Sequence, residues 1–288
     1  MHPRREHLSS LNGLGVQWDP GEEVLDCSLP HALTRAAGYL KHVKGHQGSR
    51  VFFRGQTEDW KPCVPSLFRA PGRLAQDVQS RRISKLNEYV SEAQAAEAFI
   101  KGKKYPYDYA HEALLQHYGV RTPWIDLVDN IWVALWFAVH RCVTRDPKKR
   151  ATHWHFTASE SEYAYVLLVS PGREEPVPTK PGLTETDDGY VIDLRVAAPS
   201  LHVRPHAQHG LLFRRETFPP GRDVSIEPHV VGRIRVRTDL ARSWLGSGFL
   251  HDPHVVFPPP HYDHGYARLL QRAPEVPDEL GGIAIVFA

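Results

Sequence analysis

The spacing of apolar positions divides the chain into two halves of different character. In the first half, Leu33, Ala36, Ala37 and Leu40 recur three or four apart between Leu29 and Val43, the period of a helix with one buried face. Ser28 and Pro30 are its start signals, and Gly45 and Gly48 its stop signals. Ile83, Leu86, Val90, Ala93, Phe99 and Ile100 predict a second helix over 83–101. A third can begin at Asp108 and carries Leu114, Leu115 and Tyr118 on one face, stopping at a left-handed cap on Gly119. Val51-Phe52-Phe53 interrupts this pattern as a short buried strand. Pro123 keeps the following residues extended, and Ile125 and Leu127 alternate about Asp126. Ile131 to Val139 is apolar on every face, a helix buried all round, with Asp129 as its expected N-cap.

The second half alternates with the period of strands. Tyr163–Val169, Tyr190–Val196, Leu211–Phe218, Val230–Val236 and Ile283–Phe287 all read as strands, with a short helix carrying Leu240, Trp244 and Leu245. A run of helices followed by a run of strands predicts an α+β fold. Its helical N-terminal half should pack on a mainly antiparallel sheet, built by the C-terminal half together with the 51–53 strand. That strand has no neighbour close in sequence, so it should join the later sheet. Residues 29–288 then form a single domain behind a polar segment at 1–28; two domains dividing near 150 is the alternative.

Composition narrows the classes of function. The 35 basic and 33 acidic residues leave a net charge of +2, which is no global argument for nucleic acid or membrane, so any such surface must be local. The apolar run at 131–139 is far short of the roughly 20 residues of a membrane span. The basic N-terminus has no apolar stretch behind it, as a secretory signal would require. Three scattered cysteines, Cys27, Cys63 and Cys142, point to a reducing and therefore cytoplasmic compartment. The 18 histidines raise the question of a metal, but they stand in no H-E-x-x-H or C-x-x-C pattern, and none is assigned as a metal ligand. No G-x-S-x-G, Walker or G-x-G-x-x-G loop is present.

The polar residues set among apolar ones are the candidates for chemistry. Arg54 leaves a buried strand ahead of a glycine; it either pairs with Asp126 or Asp129 or clamps a phosphate or carboxylate. His117 and Asp126 flank the glycine turn in the types of a general base and its orienting carboxylate. Gln208 enters a strand on which Glu216 follows at an even offset, so both can face one side; Glu216 is otherwise a solvated partner of Arg214 or Arg215.

Phe53-Arg54-Gly55-Gln56 followed by Pro65-Ser66-Leu67-Phe68-Arg69 resembles the opening of the FRG domain, a family named for its Phe-Arg-Gly triplet. Gln116-His117-Tyr118-Gly119, Asp126 and Ala134-Leu135-Trp136-Phe137-Ala138 are similar to its second block, Gln208-x-Gly210-x-x-Phe213 to its third, and Gly248-Phe249 through Pro258 to its closing segment. The family's T-R-L-L-D is replaced by Thr122-Pro123-Trp124-Ile125-Asp126, which moves the basic residue to Arg121. The resemblance implies a bacterial or phage-linked conflict protein, and its layout is also similar to that of ADP-ribosyltransferases. By that likeness NAD is the cofactor, bound by Phe53, Arg54, Gln56 and Tyr118, while His117, Asp126 and Gln208 or Glu216 act at the ribose. The implied partners are a nucleic-acid or protein target and an antitoxin or associated defence protein. Two other functions fit the same residues: a phosphodiester hydrolase using His117 and Asp126, with basic arms at 141–150 and 233–237, and a non-catalytic recognition module.

Overall fold

The computed structural model describes residues 9–45, 47–70, 74–101, 108–145, 151–216, 224–246 and 252–287. Strands β1 (Val16–Asp19), β2 (Val24–Cys27), β3 (Phe52–Gln56), β4 (Ile125–Val128), β7 (Tyr163–Val169), β8 (Glu174–Pro176), β9 (Leu183–Thr186), β10 (Gly189–Asp193), β11 (Gly210–Arg215) and β12 (Val230–Arg237) form one sheet. Its order is β1-β2-β12-β7-β3-β4-β11-β10-β9-β8, antiparallel throughout except where β12 runs parallel to β2. A smaller sheet, β13-β6-β5, joins β5 (His140–Arg145), β6 (Ala151–Ala158) and β13 (Ile283–Phe287). The fold is α+β, as the apolar pattern predicts.

Strand β3 takes the centre of the large sheet, between β7 and β4, because Phe52 and Phe53 can be buried on opposite faces only where both faces are covered. One cover is helix α1 (Pro30–Gly45), whose Leu33, Ala36 and Leu40 are fully buried against β2 and β12. Helices α2 (Gln76–Ala95) and α3 (His111–His117) enclose a second core around Leu86, Tyr89, Leu114 and Tyr118. Helix α4 (Ile131–Val139) lies directly across β3 and β7. That crossing requires Gly55, since a Cβ there would stand 1.8 Å from the Ala134 carbonyl oxygen.

Several expectations are corrected. The stretch assigned to a polar N-terminal segment contains the β1–β2 hairpin, and Val16, Leu25 and Cys27 are buried in the main core, so the domain begins before residue 29. Four short alternating residues at β1 and four at β2 give too little periodicity to stand out. Helix α2 runs earlier than 83–101 and ends at Ala95; Phe99 and Ile100 follow it. Strand β10 stops at Asp193, whose side chain accepts from the Arg195 backbone N–H and starts helix α5 (Leu194–Ala197). Asn130, not Asp129, caps α4, accepting from the Trp132 N–H at 2.9 Å. Asp129 instead binds Arg195 at 2.8 Å and approaches His209 at 3.2 Å. Residues 148–150 of the basic run, and Gly248-Phe249, lie outside the described residues. No helix among the described residues is long and apolar enough to cross a membrane.

Candidate functional site

The end of α3, the glycine turn and β4 bring three polar side chains together. Gly119 has φ of 110° and lets the chain reverse beneath β13, where a Cβ would meet that of Ala284 at 2.8 Å. The reversal sets Gln116 and His117 against Asp126. Gln116 is the hub. Its Oε1 accepts from Thr122 Oγ1 at 2.9 Å, the Thr122 N–H at 3.2 Å and Ser66 Oγ at 3.1 Å. With that oxygen committed, Nε2 donates to Asp126 Oδ2 at 2.8 Å.

His117 Nδ1 lies 3.5 Å from the other carboxylate oxygen of Asp126. Its ring edge rests on Gly210, where a Cβ would come within 2.6 Å of Nε2 and Cε1. The glycine two residues after Gln208 is thus explained by the histidine it admits. Arg54 Nη1 donates to the Asp126 carbonyl at 2.9 Å, while its buried Nε has no partner among the described residues. Burial pulls the Asp126 carboxyl upward, but His117, Arg54 and Gln116 together hold it below the ordinary carboxylate range. Asp126 is therefore ionised at neutral pH.

These groups line a cavity of about 440 Å³ between β3 and β4 on one side and the small sheet on the other. Arg69 and Arg121 join Arg54 on its wall, and Phe53, Phe137, Trp154 and Phe257 supply flat apolar surface. Desolvation first, and then the like charges of Arg54 and Arg121, lower the Arg69 pKa from the ordinary arginine value, against the opposing pull of Asp126. Apart from Asp126, the carboxylate on this wall is Asp278. Three guanidinium groups around so little negative charge leave this wall positively charged. A larger chamber of about 1470 Å³ adjoins it at Arg54, Gly55, Arg69 and Phe137.

Of the residues expected at the site, Phe53, Arg54, His117, Asp126 and Gln208 line the smaller cavity and Gln56 the larger. Gln208 donates Nε2 to the Val256 carbonyl at 2.8 Å, so its amide nitrogen is already engaged. Two residues stand elsewhere. Tyr118 is fully buried in the second core, its hydroxyl donating to Asp263 Oδ2 at 2.9 Å. Glu216 is exposed beyond the end of β11, 3.4 Å from the Tyr190 hydroxyl, and lines neither chamber. Both follow from side-chain direction: Tyr118 turns inward as α3 ends, and β11 carries position 216 out past the sheet edge. Arg69 and Arg121 lie within or beside the motifs, but local spacing does not mark either as a site residue.

The arginines of the 233–237 arm are paired within the chain. Arg233 pairs with Asp59 and Glu227, Arg235 with Asp26 at 2.7 Å, and Arg237 with Asp239 at 2.8 Å. No cluster of three or more histidine, cysteine or acidic residues able to hold a metal occurs among the described residues.

Residues 49–147 match the model of the FRG domain family. This segment is an FRG domain. No curated protein and no solved structure matches the chain. The FRG segment contains β3, α2, α3, β4, α4 and β5, and so supplies Arg54, Arg69, Gln116, His117, Arg121 and Asp126. The remaining cavity wall, including Trp154, Gln208 and Phe257, comes from the chain beyond it. The family triplet has a physical meaning here: Phe53 is buried, Arg54 faces the cavity, and Gly55 is bare so that α4 can cross.

Proposed function

We propose that this cavity is the active site of a nucleotide-using toxin or defence effector, and that its reaction is NAD-dependent ADP-ribosyl transfer to a protein or nucleic-acid acceptor. The observation that carries the proposal is the convergence of Arg54, Arg69 and Arg121 around the Asp126 carboxylate in an aromatic-walled cleft. Guanidinium forks match the oxygens of a pyrophosphate, and the aromatic rings suit a planar base. Asp126 is the carboxylate to stand beside C1′ of the nicotinamide ribose, where fixed negative charge stabilises the oxocarbenium-like transition state. In the step, the C1′–nitrogen bond breaks and its electron pair neutralises the departing nicotinamide. The acceptor atom bonds to C1′ and its proton passes to the Asp126 carboxylate. His117 and Gln116 are positioning residues, since the His117 Nε2 edge faces Gly210 and Gln116 fixes Oδ2.

Labelled NAD incubated with the protein and cell extract is expected to transfer label to a macromolecule, and Arg54→Ala to abolish transfer while the thermal midpoint stays close to the parent's. A folded sample that neither transfers label nor cleaves NAD overturns the proposal. The engagement of Gln208 with Val256 favours a second reading, a recognition module without turnover. It predicts nucleotide binding that Arg54→Ala abolishes, with no product under any condition.

A further inference from the structure

The larger chamber has no part in the step written above, yet it opens from the same strand. Arg54 and Gln56 stand two residues apart on β3, so both side chains leave one face, roughly 7 Å apart along the strand. Gly55 between them is closed over by α4 on the opposite face, which holds the pair at a fixed spacing. Gln56 is 7% exposed and lines the chamber. Its Oε1 has no partner among the described residues, and its Nε2 reaches only Cys63 Sγ, at 3.9 Å. A buried amide oxygen left without a donor is costly, and buried polar groups in folded proteins are almost always satisfied. Around it, Phe68, Phe137 and Phe156 give the chamber apolar walls, and Trp60, 57% exposed, stands at its edge.

We propose that the larger chamber is the base subsite of the nucleotide, in which Gln56 accepts a hydrogen bond from an N–H group on a planar heteroaromatic ring while Arg54 holds the phosphates at the neck between the two chambers. This rests on the nucleotide reading of the smaller cavity. The neck makes the assignment directional: Arg54 and Arg69 belong to both chambers, so an anionic group between them places what is attached to it on either side. Gln56 is then a specificity-determining residue. With C1′ of the nicotinamide ribose beside Asp126 in the smaller cavity, the base beyond the neck is adenine, whose exocyclic amine is an N–H donor of this kind.

Calorimetric affinities of the full chain for inorganic pyrophosphate, ADP and NAD test the subsite. The parent is expected to bind NAD more tightly than pyrophosphate. Gln56→Met, close in size but without the acceptor, should weaken the base-bearing ligand about tenfold or more while leaving pyrophosphate within about twofold. Retained pyrophosphate binding also shows that the variant is folded. Gln56→Glu keeps an acceptor oxygen and should retain ADP affinity better than Gln56→Met. An equal loss for NAD and ADP supports the adenine assignment; a loss confined to NAD overturns it. Unchanged NAD affinity in Gln56→Met, or equal losses for NAD and pyrophosphate, overturns the subsite and leaves the arginine site standing. Failure of the parent to bind any of the three overturns both.

Discussion

Gly55 does at residue scale what no side chain could do in its place. The Ala134 carbonyl occupies the position of its missing Cβ at 1.8 Å, and that atom belongs to backbone that cannot swing aside. Gly55→Ala is expected to lower unfolding free energy by about 1–3 kcal/mol or more, the cost of overpacking a filled core, measured by urea denaturation. Gly210 works differently, because what it makes room for is the movable ring of His117. Gly210→Ala should therefore disturb the site more than the fold: the ring must shift away from Asp126, and ligand affinity falls while the denaturation midpoint changes less than for Gly55→Ala. Equal destabilisation by the two substitutions, with affinity intact in Gly210→Ala, would contradict this account.

At the scale of elements, α4 is a nine-residue helix with almost no polar surface, so its position depends on packing and on how it starts. Asn130 supplies the start by accepting from the Trp132 N–H. Asn130→Ala should cost about 1 kcal/mol of stability and Asn130→Ser should recover most of it, by thermal or chemical unfolding. Asp129, one residue earlier, is tied to Arg195 and His209 and joins β4 to the start of α5. Sequence alone does not separate two adjacent cap-competent residues; the direction in which each side chain leaves the backbone does. The same distinction applies to α3, where Gln116 and His117 face the cavity and Tyr118, one step on, faces the Asp263 carboxylate in the core.

For the whole molecule, the buried histidines set the response to acid. His111 stacks on Phe99 at 3.8 Å and is bonded to Gln94, and burial lowers its pKa from 6.5 to about 4. His202, buried beside Tyr118 and Asp263, is shifted in the same direction, burial again the first cause. Between about 4 and 6.5 the unfolded chain binds protons that the folded chain refuses, so stability is lost as pH falls through this window. The thermal midpoint should be insensitive to these groups above pH 6.5 and decline below it. His111→Gln should make that decline shallower. The depressed Asp126 carboxyl adds a further loss only below the ordinary aspartate value, as pH falls through its folded pKa.

Periodicity and motif spacing on their own determined the α+β class, the entry of the 51–53 strand into the later sheet and the buried α4, and named Arg54, His117 and Asp126 as candidates for one site. These follow from local rules: apolar alternation identifies a buried face, and a glycine or proline marks where a chain must turn. Tertiary structure decided the rest. The β1–β2 hairpin is too short to show a period, and only its pairing with β12 makes it part of the domain. Arg69, Arg121 and Trp154 reach the cavity from a loop, a turn and a strand of the second sheet, separations that local spacing cannot relate. Tyr118 and Glu216 left the site for the complementary reason, because the facing of a side chain depends on the element's neighbours as well as on its residue type.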